Sequence, residues 1–493
     1  MREIPLEITQ AILQELDPAS LKNVALSCRV FYEAFKGAER LIVHRSLLTC
    51  IDDAVLPEAY RLHKSWGLCP PNDNQHQAAA FAANDCFDRG LPKQFQLSDT
   101  MKMAKFHEFV RAIADTAAHD ALQRERRLTA SGQPTLATPE EVHRFQRALY
   151  RFQLYCNVVG AIRYDGVEEA VDWFFTWATA IENEQLACIH DFLVRVIAKS
   201  FNSLVDHDID WGRRRILYID NYRSSRANAV MAKGLELIYE LIQAFKYAHP
   251  HDVLDSVVTC GRIFASYNLD GSQRVYEFLY EDLKLWGTAA DTLSSQVYQD
   301  FTVSDLADTY DYCRVRGTEN YTEPDQGPEA MWTHLTRDLN IFDVVNQPEL
   351  AAERLWAFPC WNLSRLEAGG LLLDPSLPKQ PGFDHEKLGL EQYSDAARIL
   401  NLQLLWLERS NIAVLNGWGY YNHQDLRYVQ WNPTTLTRVA EWYLGEAERR
   451  AFLAEGRSLA NERQHIAQLG IRDPYWMVVM SRVRHWSQGM LVL

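Results

Sequence analysis

The chain has 493 residues, 47% of them hydrophobic and 12% aromatic, enough for a packed core and too much for a disordered scaffold. Its net charge of −15 opposes phosphate backbones and anionic membranes unless basic residues gather locally, so neither nucleic acid nor a membrane is expected as a partner. No stretch approaches the roughly 18 uncharged apolar residues of a membrane span, and Glu7 and Glu15 interrupt the apolar run near the N-terminus, so no secretory leader is expected either.

The first elements are short and sharply punctuated. Pro5 suits the first position of a helix, where its missing N–H costs nothing. Ile8, Ile12, Leu13 and Leu16 follow at i, i+4, i+5 and i+8, one stripe of that helix. Asp17-Pro18 restarts the chain with a good N-cap and a good first helical residue. Leu21, Val24, Ala25 and Cys28 form a second stripe, and Phe31 and Phe35 begin a third with Tyr32 beside them. Pieces below roughly 40 residues seldom stand alone, so these three helices must pack on the rest of the chain or on another protein. Periodicity leaves both open.

Residues 46–95 read as a helical linker and 96–493 as one large helical body. Ser46 to Trp66 is one or two helices, and Cys69 to Asn74 is the first candidate joint. A helix is expected over 98–127 with Met101, Phe106, Phe109, Val110 and Ile113 on its apolar side. Thr129 to Thr138 reads as a loop. Thr138-Pro139-Glu140-Glu141 is a helix start, with a Thr cap and a Glu three residues on; Val142, Phe145, Leu149 and Phe152 continue the stripe. Further helices are expected near 184–205, 233–247, 252–268, 274–286, 395–416, 434–455 and the C-terminus. Two irregular segments, Gly317 to Gly327 and Gly369 to Gly389, interrupt them. Few stretches alternate at period two. The expected fold is all-α: a three-helix start, then a large irregular helical domain with no leucine-rich, WD, kelch, ankyrin or TPR period.

Candidate chemistry is sparse. Nine cysteines (28, 50, 69, 86, 156, 188, 260, 313 and 360) occur without a C-x-x-C, which fits reduced thiols in the cytoplasm or nucleus. His190-Asp191, the cluster at His207, Asp208 and Asp210, and that at His249, His251 and Asp252 hint at metal ligands. Adjacent helical residues point about 100° apart, however, so helix caps and surface ion pairs explain them better. Adjacent Glu140-Glu141 and Glu168-Glu169 face apart for the same reason. There is no P-loop, dinucleotide fingerprint, G-x-S-x-G elbow or H-E-x-x-H; neither catalysis nor a cofactor or metal is expected. Arg124 to Arg127 and Arg213 to Arg215 read as solvated helix ends or ion-pair partners. Six tryptophans lie in residues 401–493 and read mainly as core. Trp418 and Tyr420, flanked by Gly417 and Gly419 on a turn between helices, are instead candidate substrate contacts.

The order Pro-x-Glu-apolar, Ile-Leu-x-x-Leu-Asp, then Leu-x-x-Val-x-x-x-Cys-Arg-x-Phe-Tyr resembles the F-box, a three-helix segment that docks on the Skp-type adaptor of cullin–RING ubiquitin ligases. Pro5, Glu7, Ile8, Ile12, Leu13, Leu16, Leu21, Val24, Cys28, Arg29 and Phe31 match it. Ile4 stands where the motif usually has Leu, Phe31 where it often has Trp, and Ser27 where Val is common. The resemblance spans residues 1–45 and implies adaptor binding by Pro5, Ile8, Ile12, Leu13, Leu16, Leu21, Val24, Cys28 and Phe31. The texture of 143–160, 184–197 and 207–212 is similar to F-box-type proteins of filamentous fungi that carry long helical tails of no assigned activity. The implied function is non-catalytic: a substrate-recognition subunit that tethers a protein substrate to the ligase through the adaptor and a cullin. An adaptor-bound scaffold or trafficking protein outside the ligase is the alternative, and an unrecognised metal hydrolase is a third reading.

Overall fold

The computed structural model describes residues 4–66, 95–129, 135–158, 174–175, 178–208, 211, 216, 218–219, 225–244, 250–255, 257, 321–337, 345, 350–373, 420–422 and 427–429. The candidate joint at 69–74 and the helices expected at 274–286, 395–416, 434–455 and the C-terminus lie outside them. The fold is all-α, with one short antiparallel pair, β1 (Tyr420–Asn422) on β2 (Arg427–Val429), as its only described sheet.

The helices start where local chemistry tells them to. α1 (Leu6–Gln14) begins after Pro5, whose carbonyl accepts from the Ile8 and Thr9 amides at 3.1 Å each. α2 (Pro18–Ala25) is capped by Asp17, whose carboxylate accepts from the Ala19 and Ser20 amides at 3.0 Å each. These hydrogen bonds, those of Ser20 foremost, hold the Asp17 pKa below its usual value. α3 (Arg29–Gly37), α4 (Glu39–Leu48) and α5 (Leu56–Ser65) follow. α6 (Leu97–Arg124) matches the expected 98–127 helix closely, but its buried line is Met103, His107, Val110, Ile113 and Ala117. Phe106 and Phe109 are only half-buried.

The expected capping box opens α7 (Pro139–Val158). The Thr138 amide donates to Glu141 Oε2 at 2.8 Å and the Glu141 amide to Thr138 Oγ1 at 3.3 Å. Thr179 and Glu182 repeat the device at the start of α8 (Ala180–His207). Then come α9 (Ser225–Met231), α10 (Leu235–Gln243), α11 (Gly327–Thr336), α12 (Ala351–Arg354) and α13 (Leu363–Ala368).

Packing divides the chain into two units: residues 1–194, 228–239 and 263–387, and residues 195–227, 240–262 and 388–493. Within the first, α2 and α4 pack on α6, while α5 lies along α7. The segment after Ser46, read as a linker, therefore contributes α5 to a buried interface. Leu56, Ala59, Tyr60 and Leu62 are core residues there. In the second unit Trp211 is fully buried against Phe201, ring centroids 4.9 Å apart, and its Nε1 donates to Asp255 Oδ1 at 3.1 Å.

Charge fills much of the first unit's interior. Arg365 on α13 grips Glu141 with Nε and Nη2, each 2.8 Å from a carboxylate oxygen, although both side chains are buried. Its remaining donors satisfy the carbonyls of Leu128 and Leu136 at 3.0 and 2.9 Å. One turn along α7, buried Arg144 donates to Glu323 at 2.7 Å, to the Cys360 carbonyl at 3.0 Å and to Asn362 Oδ1 at 2.7 Å. Arg147 also pairs with Glu323. Arg151 joins Glu182 and, at 3.4 Å, Glu58 of α5, which Arg61 also holds at 3.0 Å. On α8, Asp191 and Glu184 receive Arg354 at 2.8 and 3.2 Å. That guanidinium is the main charge keeping the Asp191 pKa low against burial, which alone would raise it.

A buried charge left without its partner costs about 3–5 kcal/mol. Arg365→Met should therefore lower the unfolding free energy in urea by that amount, because Glu141 would stay behind unpaired. Arg29→Met, which removes an exposed i,i+4 pair with Glu33, should leave the denaturation midpoint unchanged.

Candidate functional site

The three N-terminal helices are held together by a small core. α1 buries Thr9 and Leu13, α2 buries Leu21 and Ala25, and α3 buries Ala34 and Phe35. Gln10 Nε2 donates to the Ala34 carbonyl at 3.1 Å, fastening α1 to α3. This core uses the line Thr9–Leu13, so Ile8 and Ile12, each one position earlier, turn about 100° away. They are 52% and 45% exposed and, four residues apart, stand on one side of α1 with Ile4 a further turn back.

Other large apolar side chains of residues 4–41 are exposed as well. Leu6, Leu26, Val30, Tyr32 and Leu41 are exposed; among the described residues the only other large hydrophobic side chains so exposed are Leu136 and Leu373. Single exposed apolar residues are ordinary, but a concentration within residues 4–41 is the signature of a surface that meets a partner. Charged side chains are interspersed among them, and four of these are paired, Arg29 with Glu33 at 2.6 Å and Lys36 with Glu39 at 2.5 Å.

The structure sorts the residues expected to bind an adaptor into three groups. Pro5, Ile8, Ile12 and Cys28 are exposed; Leu16, Val24 and Phe31 are half-buried; Leu13 and Leu21 are core. The stripe of α1 thus serves two sides, with Leu13 inward and Ile8 and Ile12 outward. Leu6, Leu26, Val30 and Leu41 were missed by the periodicity, which marks apolar positions but not which of them lack a neighbour.

Trp418 lies outside the described residues. Tyr420 is not on a turn between helices: it opens β1, opposite Val429 of β2. Tyr and Val favour the extended backbone found there.

Of the histidine–aspartate clusters, His190, Asp191, Asp208 and His251 are buried rather than on the surface, whereas Asp252 is exposed. His190 Nδ1 lies 3.0 Å from Asp191 Oδ1, both fully buried, and Asp191 in turn holds Arg354. In the second unit, buried His251 has Nε2 3.2 Å from Asp208 Oδ2. Among the described residues no group of three or more His, Cys, Asp or Glu side chains is placed to hold a metal ion. No helix among them is long and apolar enough to cross a membrane. The thiols of Cys188 and Cys360 are buried and their pKa values are pushed up by burial, that of Cys360 to about 12, which keeps them protonated and unreactive at neutral pH. Arg124 and Arg127 pair with Asp120 and Glu125 at 2.8 and 2.9 Å; Arg213 to Arg215 lie outside the described residues. No family model, no curated protein and no solved structure matches this chain.

The division of α1 is testable by truncation. Leu13→Ala should cost about 2–5 kcal/mol of stability, as core leucine truncations do. Ile12→Ala should leave the melting temperature nearly unchanged. Equal effects would place Ile12 in the core.

Proposed function

We propose that residues 4–41 form an F-box-type docking surface for a Skp-type adaptor, and that the helical body holds a protein substrate for ubiquitination. The observation that carries this reading is the concentration of exposed apolar side chains on Ile4, Ile8, Ile12, Leu26, Val30 and Tyr32, on helices whose own core is already complete. Such a surface gains from burial against another protein, each large aliphatic side chain contributing about 1.5–3 kcal/mol on full burial. The sequence order that resembles the F-box supplies the partner's class.

On this reading the chain performs no bond chemistry. Its contribution is positional: a substrate held on the body meets the charged ubiquitin carrier at a raised effective concentration. The first 45 residues carry balanced charge, so the excess of −15 belongs to the rest of the chain and leaves the docking surface neutral.

The test is capture of a purified Skp-type adaptor by the full chain and by the double variant Ile8→Asp/Ile12→Asp. Burying an unpaired carboxylate in an apolar interface costs at least about 3 kcal/mol, more than a hundredfold in Kd. Binding should be lost while the melting temperature is retained, because both positions are exposed in the free chain. Undiminished capture by the double variant overturns the assignment. A cullin in the captured complex distinguishes ligase subunit from scaffold.

A further inference from the structure

In the first unit a continuous row of rings runs between two layers of helices. One layer is α4 with α6; the other is α5 with α7. His44 of α4 meets Tyr60 of α5, Nδ1 to hydroxyl 2.7 Å. Tyr60 contacts Phe95 edge-on, centroids 5.7 Å apart, and Phe95 contacts His63 of α5 at 5.5 Å. His63 abuts Trp66 at 5.1 Å, and Trp66 crosses to Phe106 of α6 at 6.1 Å. The row ends on His107 of α6, whose Nδ1 lies 3.0 Å from the hydroxyl of Tyr150 on α7. Both histidine–tyrosine hydrogen bonds cross from one layer to the other.

We propose that this seam is a proton-sensitive latch: protonation of its histidines parts the α4–α6 layer from the α5–α7 layer. The closed seam has little to balance a new positive charge. Facing His107 are the neutral Tyr150 hydroxyl, Arg111 one turn along its own helix and His143 of α7, and both of the latter oppose a proton. Around His44, Arg45 opposes and Asp53 favours it; around His63, Asp99 at 4.0 Å favours it while Lys102 and Lys64 oppose. Burial is the largest influence on all three, and each imidazole is held below its ordinary pKa, His107 at about 4.

The sign follows directly. A histidine whose folded pKa lies below the free value of about 6.5 leaves the closed seam at full strength above pH 6.5. That strength is lost progressively as the pH falls toward 4. The Arg354–Asp191 pair fails later, since arginine stays charged and Asp191 has a lowered pKa. Acid thus opens the seam, to which α13 contributes no ring. This device does not depend on the docking reading.

Hydrogen exchange of the full chain at pH 7.5 and 5.5, corrected for intrinsic chemistry, tests it. The amides of α6 should exchange about tenfold faster at pH 5.5 from His107 alone, the ratio that pKa values of 6.5 and 4 require. Those of Leu363–Ala368 should keep their rates. His107→Gln, which cannot titrate, should abolish that tenfold change. Tyr150→Phe should raise exchange in α6 at both pH values and keep the ratio. The proposal is overturned if the wild-type rates in α6 do not respond to pH, if Leu363–Ala368 accelerates equally, or if His107→Gln responds like the wild type.

Discussion

The bidentate pair between Arg365 and Glu141 is the constraint on which the first unit depends. Its two residues are 224 positions apart, and both are out of reach of water. Burying two charges costs several kcal/mol each before any attraction is counted, so the pair persists because its own donors and acceptors are engaged. Glu141 supplies that engagement twice over: it closes the capping box of α7 and also accepts the Asn362 amide at 3.1 Å. The turn that starts α7 and the turn that starts α13 are therefore one hydrogen-bonded object. Arg144, Arg147 and Arg151 extend the same logic down α7, each reaching a carboxylate from another part of the chain. An arrangement built this way tolerates few alternatives, because a shift of one register would strand several charges at once.

Against that fixed interior the N-terminal helices make sense as an appended surface. They hold themselves through Leu13, Leu21, Ala34 and Phe35, and α2 and α4 fasten them to α6. What they leave outward includes eight large apolar side chains, from Ile4 to Leu41. Rigid support and an exposed apolar face are the two physical needs of a docking element, and both are met without the body's interior being disturbed. The ring seam beneath α4 and α6 is the weaker of the two ties in this unit, because its polar members are neutral imidazoles and phenols rather than arginines and carboxylates.

Local signals were legible in the sequence and long-range ones were not. Asp17-Pro18, and Thr138 with Glu141, announce helix starts because capping is chemistry among neighbours. The all-α character followed from the same periodicities. The second role of Glu141 was invisible, since nothing in residues 138–145 points to Arg365. Arg144 and Arg151 look like the polar face of an amphipathic helix; they are buried because α7 is surrounded. On α1 the stripe of Ile8, Ile12, Leu13 and Leu16 showed amphipathicity but not orientation, and only packing reveals that Thr9 takes the inward place that Ile8 seemed to claim. Tyr420 was misplaced because a three-residue strand leaves no periodicity to read.

On the proposed reading, the exposed apolar residues of α1 and α3 meet an adaptor. The most direct measurement is hydrogen exchange of the full chain with and without a saturating Skp-type adaptor at neutral pH. The account predicts slowed exchange across Leu6–Gln14 and Arg29–Gly37, with the helices from Pro139 to Val158 and from Leu363 to Ala368 unaffected. No protection in the N-terminal helices while the adaptor is demonstrably bound elsewhere would contradict it.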